Sequence, residues 1–229
     1  MLLDGRKAQL LSAVVKEYAR TAQPVASGHL QEELGVSSAT VRNEMAELER
    51  GGYLRQPHTS AGRVPTEEGY RYYVAHCLEE QNVKNEVDEM QATVRPALPH
   101  EARMKRLARE LASEMREGVF IGFTPQSSYY TGLSYLFDQP EFESVDFVRH
   151  IGDIVDNLDQ IVAKLFEEVA PGVQVYVGSE NPFGAQCGTV LLRTGIDRPM
   201  MGVLGPMRMD YDRAIGMMKG LGRILEIGY

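Results

Sequence analysis

The stretch GVSSATVRNEMAELE, residues 35–49, predicts the fold of the first part of the chain. Its apolar residues recur at i, i+4 and i+7 and therefore share one face of a helix: Val41, Met45 and Leu48. Ser37 or Ser38 can cap the start of this helix, and the glycine pair at 51–52 can end it. The sequence therefore predicts one short amphipathic helix whose second face is free for a partner.

A helix-turn-helix arrangement is predicted by the residues before this helix. An earlier helix carries one apolar stripe, consisting of Leu11, Val14, Val15 and Tyr18. A second helix is predicted after Ser27, which can cap it, with Leu30 and Leu34 one turn apart. Gly35 then allows a tight turn into the third helix. Helix, short glycine turn and helix is the order of a helix-turn-helix motif.

A β-ribbon is predicted directly after the third helix. Residues 53–56 have the pattern of a short strand, residues 57–63 are rich in turn formers, and residues 64–65 are short and apolar. We therefore predict a winged helix-turn-helix DNA-binding domain over residues 1–76.

The exposed face of the third helix and the ribbon supply the candidate DNA-binding residues. Small residues at the helix start allow close approach to DNA, arginine suits guanine, and asparagine suits adenine. The ribbon offers donors for phosphates or a minor groove. The alternative is that these residues form only a solvated helix face and a polar turn, but their occurrence together favours DNA contact. The predicted residues are Ser38, Ala39, Thr40, Arg42, Asn43, His58, Thr59, Ser60 and Arg63.

Residues 77–117 are predicted to be a helical linker and possible dimerisation region. Thr66 can cap a long helix whose apolar positions run on to Val94, and residues 101–117 form a second amphipathic helix. Amphipathic helices of this kind can form a linker or a dimer seam.

An α+β domain is predicted for residues 118–229. Strands are expected at 119–124, 129–135, 173–177, 187–193 and 200–205. A long helix follows the second strand, and a last helix follows Asp210. We expect a mostly antiparallel sheet with helices on one face.

Composition and motifs argue against several classes of protein. No segment reaches the length of a membrane span, and no secretory signal is visible, so we expect a cytoplasmic protein without a membrane partner. Cys77 and Cys187 are far apart in the sequence and neither has a second cysteine nearby, so the sequence shows no zinc-ribbon or redox-pair motif. No catalytic motif occurs, and we expect neither an enzyme nor a cofactor.

Charge is unevenly distributed along the chain. The whole chain has a net charge of −8, yet residues 1–76 hold nine basic and nine acidic residues. A neutral first part joined to an acidic body is compatible with a nucleic-acid reader that uses a local basic face.

Several motifs together resemble the HrcA family of heat-inducible transcription repressors. The resemblance rests on the residues 35–49 quoted above, QPHTSAGRVPT at 56–66, GYRYYV at 69–74, GLSYL at 132–136, QPEF at 139–142, VGSEN at 177–181 and GPMRMDY at 205–211. Two departures accompany it. The sequence ASGH at 26–29 lacks a basic residue usual in the family, and the chain is shorter than typical members between Met115 and Tyr130.

The resemblance implies a dimeric winged-helix repressor with a GAF-like domain, here a reduced one. Such a repressor binds double-stranded DNA at an inverted-repeat operator of the CIRCE type, silences groE and dnaK type chaperone operons and loses activity on heat stress. A GroEL-type chaperonin is its implied partner. The shortening falls in the inserted domain through which the family dimerises, so the helices at 67–95 and 101–117 are the expected substitutes for a homodimer.

Two other functional hypotheses are compatible with the sequence. The GAF-like domain could sense a small molecule through Tyr129, Tyr130, Tyr135 and Phe137, although core packing is preferred for these aromatic residues because no charged anchor accompanies them. Alternatively, the chain could bind chaperonin without specific operator binding.

Overall fold

A computed structural model describes residues 3–59, 61–94 and 97–227 of the chain. The chain divides into two compact units. The first comprises Met1–Glu79 with Met207–Asp210, and the second comprises Glu80–Pro206 with Tyr211–Tyr229.

The first unit contains four helices and a two-stranded antiparallel ribbon within its described residues. They are α1 (Gly5–Thr21), α2 (Gln31–Leu34), α3 (Ser38–Arg50), β1 (Leu54–Arg55), β2 (Val64–Pro65) and α4 (Glu67–His76). The two strands pair antiparallel, with Leu54 opposite Pro65. Three helices followed by a ribbon is the element order predicted from the sequence.

The core of the first unit combines the apolar faces of its helices. Its fully buried residues include Leu10, Leu11, Val14, Leu30, Val41, Leu48, Leu54 and Tyr73. Gly69 in α4 is required by close packing, because a Cβ atom there would lie 2.2 Å from the carbonyl oxygen of Tyr53. The helix therefore approaches the start of the ribbon more closely than any side chain would allow.

Ser27 does not cap the second helix, contrary to the sequence prediction. The helix begins at Gln31, and the residue before it, Leu30, makes no side-chain cap. The hydroxyl of Ser27 instead lies 2.9 Å from that of Ser38 at the start of α3. A long-range hydrogen bond has replaced the local cap that the sequence pattern favoured.

The prediction of one long helix from Thr66 to Val94 is wrong. Helix α4 ends at His76, and α5 (Lys84–Ala92) begins after an irregular segment. α5 belongs to the second unit, where it packs against α10 (Tyr211–Ile227). A Cβ atom at Gly220 of α10 would lie 2.6 Å from the side chain of Val87, so glycine permits this close packing.

The second unit is an α+β fold around a five-stranded antiparallel sheet, consistent with a GAF-like domain. Its strands are β3 (Gly118–Thr124), β4 (Ser127–Thr131), β5 (Gly172–Val177), β6 (Cys187–Arg193) and β7 (Met200–Pro206). The strand order is β4-β3-β7-β6-β5. The three later strands lie where the sequence predicts them, whereas β4 is shorter than predicted because Gly132, at φ +84°, turns the chain into α7 (Leu133–Phe137).

Helices cover both faces of this sheet, which corrects the prediction of helices on one face. On one face, α8 (Val145–Asp156) and α9 (Leu158–Glu168) form a core with Phe120 and Leu191. On the other face, α6 (His100–Met115) packs on β3, and α10 packs on β6. β6 and β7 are buried along their whole lengths, as expected for strands covered on both sides.

Arg193 is a buried cation that closes the end of α9. Its residue is only 3% exposed, and its guanidinium donates to the carbonyl oxygens of Phe166 (3.0 Å), Gly195 (3.2 Å), Val169 and Ile196. The guanidinium also lies over the ring of Phe166, 5.2 Å from its centroid. The contacts with Phe166 and Val169 satisfy carbonyl groups that the end of α9 leaves unpaired, and those with Gly195 and Ile196 fix the segment after β6.

We expect Arg193→Met to lower the free energy of unfolding by roughly 3 kcal/mol, because it leaves several buried carbonyl groups without donors. Urea denaturation followed by circular dichroism measures the change. Arg223→Met, at an exposed position of α10, is the control and should leave stability nearly unchanged. Equal losses in the two variants would contradict the role assigned to Arg193.

Candidate nucleic-acid interface

Helix α3 is fixed at its first turn by hydroxyl groups. The Ser37 hydroxyl accepts a hydrogen bond from the backbone N–H of Thr40 at 3.1 Å, which makes Ser37 the N-cap. The Thr40 hydroxyl lies 2.9 Å from that of Ser37, and Ser38 is joined to Ser27. Two of the predicted DNA-contact residues, Ser38 and Thr40, therefore have structural partners at the helix start.

Ion pairs hold α3 against α1. Arg6 pairs with Glu44 at 2.8 Å, and Lys7 pairs with Glu47 at 2.8 Å. The hydrogen bond from Lys7 lowers the pKa of the Glu47 carboxyl group, and the same contact raises the pKa of Lys7. These pairs lie on the side of α3 that faces α1.

The opposite face of α3 presents the central predicted residues to solvent. Ala39, Arg42 and Asn43 are exposed. Within the described part of the chain, the side chains of Arg42 and Asn43 have neither an ion pair nor a hydrogen bond. The face that carries them is therefore available for a ligand, as the helical spacing predicted.

The loop of the β1–β2 ribbon, residues 56–63, is held by one glutamine side chain. The Gln56 amide donates to the carbonyl oxygens of Thr59 at 3.0 Å and Ala61 at 2.9 Å. His58 and Thr59 are exposed near the tip of the loop. Ser60, also predicted as a contact, lies outside the described residues.

Arg63 lies at the base of the loop and not at a flexible tip. Its backbone pairs with Val25, and its side chain is only 16% exposed. The guanidinium of Arg63 contacts a carboxylate oxygen of Glu49 at 2.9 Å. The other oxygen of Glu49 accepts from the backbone N–H of Gln56 at 3.2 Å. Glu49 therefore joins α3 to both ends of the ribbon loop.

A cleft of about 340 Å³ separates α3 from the ribbon loop. Arg42 lines it from α3, Thr59 and Arg63 line it from the loop, and Ser27 lines it from the segment before α2. The fold thus brings together residues of the two predicted contact regions.

The basic residues of this unit differ in their availability. Six of the nine in residues 1–76 form ion pairs with carboxylates: Arg6, Lys7, Lys16, Arg20, Arg63 and Arg71. Among the described residues, Arg42, Arg50 and Arg55 have no such pair. Arg55 is exposed on β1, and its exposure could not be predicted because a two-residue strand has no periodicity to show which side faces outward. Unpaired cations therefore occur on both α3 and the ribbon.

The described residues were also compared with the requirements of a metal site, a membrane-spanning helix and a reactive thiol. No group of three or more potential ligands could hold a metal ion there, and no described helix is long and apolar enough to cross a membrane. Cys187 is fully buried, as expected of a core residue, and burial raises the pKa of its thiol to about 12. Such a thiol stays protonated and is a poor nucleophile.

A family comparison identifies the relatives of this chain. The family model described as HrcA protein C terminal domain matches residues 63–215. The chain belongs to the HrcA family. The match includes β2, α4 and most of the second unit.

Individual HrcA proteins match this chain either over a short segment at high identity or over nearly the whole chain at lower identity. The heat-inducible transcription repressor HrcA of Pelotomaculum thermopropionicum is 52% identical over 92 residues, which cover 39% of this chain and 26% of that protein. The HrcA proteins of Desulfitobacterium hafniense and Brevibacillus brevis are each 26% identical over 336 aligned positions and 98% of this chain. The chain has only 229 residues, so these alignments contain positions that this chain lacks.

A solved structure shares the fold of the chain as a whole. It is a crystal structure described as that of a hypothetical protein, with a TM-score of 0.80 and 18% sequence identity. The alignment covers 99% of this chain and 98% of the other. The similarity supports the fold and, at this identity, nothing beyond it.

We expect Glu49→Gln to loosen the ribbon, because the neutral amide loses the ion pair with Arg63. Amide hydrogen exchange at the paired residues Val25 and Arg63 should become several-fold faster. Glu47→Gln is a matched control, since it breaks an ion pair of α3 on the side of α1. Identical exchange in the two variants would show that Glu49 does not hold the ribbon.

Proposed function

We propose that this HrcA family member is a DNA-binding transcription repressor whose first unit acts as a winged helix-turn-helix domain. In this proposal α3 is the recognition helix and the β1–β2 ribbon is the wing. The contact residues are those predicted from the sequence: Ser38, Ala39, Thr40, Arg42 and Asn43 in the helix, and His58, Thr59, Ser60 and Arg63 in the wing.

The proposal depends chiefly on the exposed, unpaired side chains of Arg42 and Asn43. An arginine can donate two hydrogen bonds to guanine, and an asparagine can bond both donor and acceptor atoms of adenine. Because Arg42 also lines the cleft beside the ribbon loop, one docked duplex can contact the helix and the wing together. The wing residues then have different roles. Arg63 positions the wing through its ion pair with Glu49, while the exposed side chains of His58 and Thr59 can bind phosphates.

Electrostatics favours local contact over broad attraction to DNA. The chain is acidic overall, and most basic groups of the first unit are neutralised by neighbouring carboxylates. Arg42, Arg50 and Arg55 are the cations of this unit that remain available within the described residues. A few phosphate contacts of this kind predict moderate salt dependence and leave specificity to the base contacts.

The target genes are proposed from the names of the HrcA relatives. Those proteins are named heat-inducible transcription repressors. We propose that this chain represses heat-shock chaperone operons of the groE and dnaK type through a CIRCE-like inverted repeat, and loses activity on heat stress. The proposed partners are duplex DNA, a second copy of the chain and a GroEL-type chaperonin.

An inverted repeat is best read by a symmetric dimer. Two identical recognition helices related by a twofold axis can enter successive major grooves, one for each half-site. A homodimer is therefore part of the proposal.

A small-molecule pocket at the predicted aromatic residues is disfavoured by the volume of the cavity that Tyr130 lines; a larger cleft of about 440 Å³, between α5 and α10, contains none of those aromatic residues. A cavity lined by Phe120, Tyr130 and Leu136 has a volume of about 30 Å³, far below the several hundred Å³ typical of ligand pockets. Tyr130 and Phe137 are 44% and 57% exposed, so the core-packing interpretation of these two side chains is also wrong. Their exposure is explained neither by an enclosed ligand site nor by the core.

We expect Arg42→Ala to weaken binding to a CIRCE-type duplex by about 1–3 kcal/mol, which is roughly a 5- to 150-fold rise in Kd. Fluorescence anisotropy over a salt series measures both the affinity and its salt dependence. A base contact should reduce discrimination against a changed base pair, whereas a phosphate contact should lower the salt slope by about one.

The control is Arg20→Ala, which removes an exposed, ion-paired arginine from the last turn of α1. It should leave operator affinity nearly unchanged. Equal effects of the two substitutions would remove Arg42 from the interface, and a wild-type chain that does not prefer the inverted repeat would contradict the proposed function.

A further inference from the structure

Exposed apolar side chains are concentrated in one part of the second unit. Four of the six large apolar residues that are most exposed in the described chain come from β4, α7 and α8: Tyr130, Phe137, Val145 and Val148. Val145 is 63% exposed and Val148 is 42% exposed. Exposed apolar residues grouped in this way are typical of an interaction surface.

On α8 these residues belong to a regular stripe. Val145, Val148, Gly152 and Val155 are spaced by three, four and three residues and therefore share one helical face. The buried face of the same helix uses Phe147, Ile151 and Ile154. Val145, Val148 and Gly152 are exposed, whereas Val155 is half-buried at the edge of the stripe and also lines the cavity beside Ile151. α8 is thus apolar beyond its buried face, and the first three positions of the stripe are left uncovered by the chain.

Gly152 is not required by close packing within the described part of a single copy. A Cβ atom at this position would meet no other atom within 4 Å. Glycine inside a helix costs about 1 kcal/mol relative to alanine, so an exposed interior glycine weakens α8 without helping it to pack. A small residue does allow a second helix to approach closely.

Among the exposed charges of α8, which are three aspartates and Arg149, one pair can meet across a twofold axis. Arg149 has only a 3.8 Å contact with Asp146, and both side chains are at least 75% exposed. Asp156, two turns after Arg149, has no ion pair among the described residues. In an antiparallel pair of α8 helices, Arg149 of each copy can meet Asp156 of the other.

The helices expected to dimerise are already used within the chain. Val87 and Met90 of α5 are buried, as are Leu107 and Leu111 of α6. These four side chains are already covered within one copy of the chain. The stripe of α8 is an alternative that the structure leaves open.

We propose that the α8 stripe is the surface through which two copies of this chain dimerise. The helices pack antiparallel about a twofold axis at Gly152, so that Val148 lies beside Val155 of the second copy and Arg149 lies near its Asp156. This inference rests on the proposed function in one respect: binding to an inverted repeat requires a dimer. The α8 stripe is the surface that this dimer would use.

Gly152→Glu tests the surface without disturbing the single chain, because the Cβ position is open. Sedimentation equilibrium of the full chain over a concentration series should show a dimer for the wild type and at least a tenfold higher dissociation constant for the variant. Gln160→Glu, on the exposed side of α9, adds the same charge away from the stripe and should dimerise like the wild type. Circular dichroism checks that both variants are folded.

A charge exchange tests the arrangement of the two helices. Arg149→Asp and Asp156→Arg should each raise the dissociation constant several-fold by bringing like charges together. The double variant should recover dimerisation, because each pair is restored with its signs reversed. This recovery is not expected if the single substitutions act only on folding.

A monomeric wild type, unchanged dimerisation of Gly152→Glu, or no recovery in the double variant would overturn the inference. Failure of the proposed function is a separate result, because it is measured as loss of preference for the inverted repeat by the wild-type chain. A wild-type dimer that is broken by Gly152→Glu supports the surface whether or not DNA binds.

Discussion

The structure of the candidate interface depends on the helical period of α3. Burial of Val41, Met45 and Leu48 against the other helices fixes the rotation of α3 about its axis. Once that face is buried, Arg42 and Asn43 must lie on the outside. The exposed residues are therefore a geometric consequence of the core, and a mutation that rotated α3 would remove both side chains from the proposed DNA surface.

Carboxylates around α3 do two things at once. Glu44 and Glu47 hold the helix to α1, while Glu49 holds the ribbon through Arg63 and Gln56. The same contacts neutralise Arg6, Lys7 and Arg63, which are three of the nine basic residues at 1–76, and other carboxylates of the unit pair with three more. Arg42 and Arg50 on α3 and Arg55 on the ribbon remain as exposed arginines without ion pairs among the described residues, so the internal ion pairs select which cations are available to DNA.

Local patterns predicted the elements of the fold better than the contacts between them. α3 and the three later strands follow directly from apolar periodicity. The breaks at residues 77–83 and at Asn157 were missed because the apolar pattern continues across them, and the packing of α5 on α10 is not visible locally. The helices on both sheet faces could have been foreseen, since β6 and β7 are almost continuously apolar.

In the candidate site too, features set by local sequence spacing could be predicted, whereas contacts between residues distant in the sequence could not. The exposed positions of Arg42 and Asn43 follow from spacing alone. The contact between Arg63 and Glu49 joins residues 14 apart in the sequence, and only the path of the ribbon brings them together. The stripe on α8 was hidden for a related reason, because two apolar faces on one helix look like a single broad buried face.

The most direct measurement is the affinity of the wild-type chain for three duplexes at one salt concentration: a CIRCE-type inverted repeat, a single half-site and a scrambled sequence of equal length. A sequence-reading α3 in a symmetric dimer predicts the tightest binding to the inverted repeat, weaker binding to the half-site and the weakest binding to the scrambled duplex. Equal affinity for all three would contradict it, because neither a sequence-reading helix nor a symmetric dimer would then be at work.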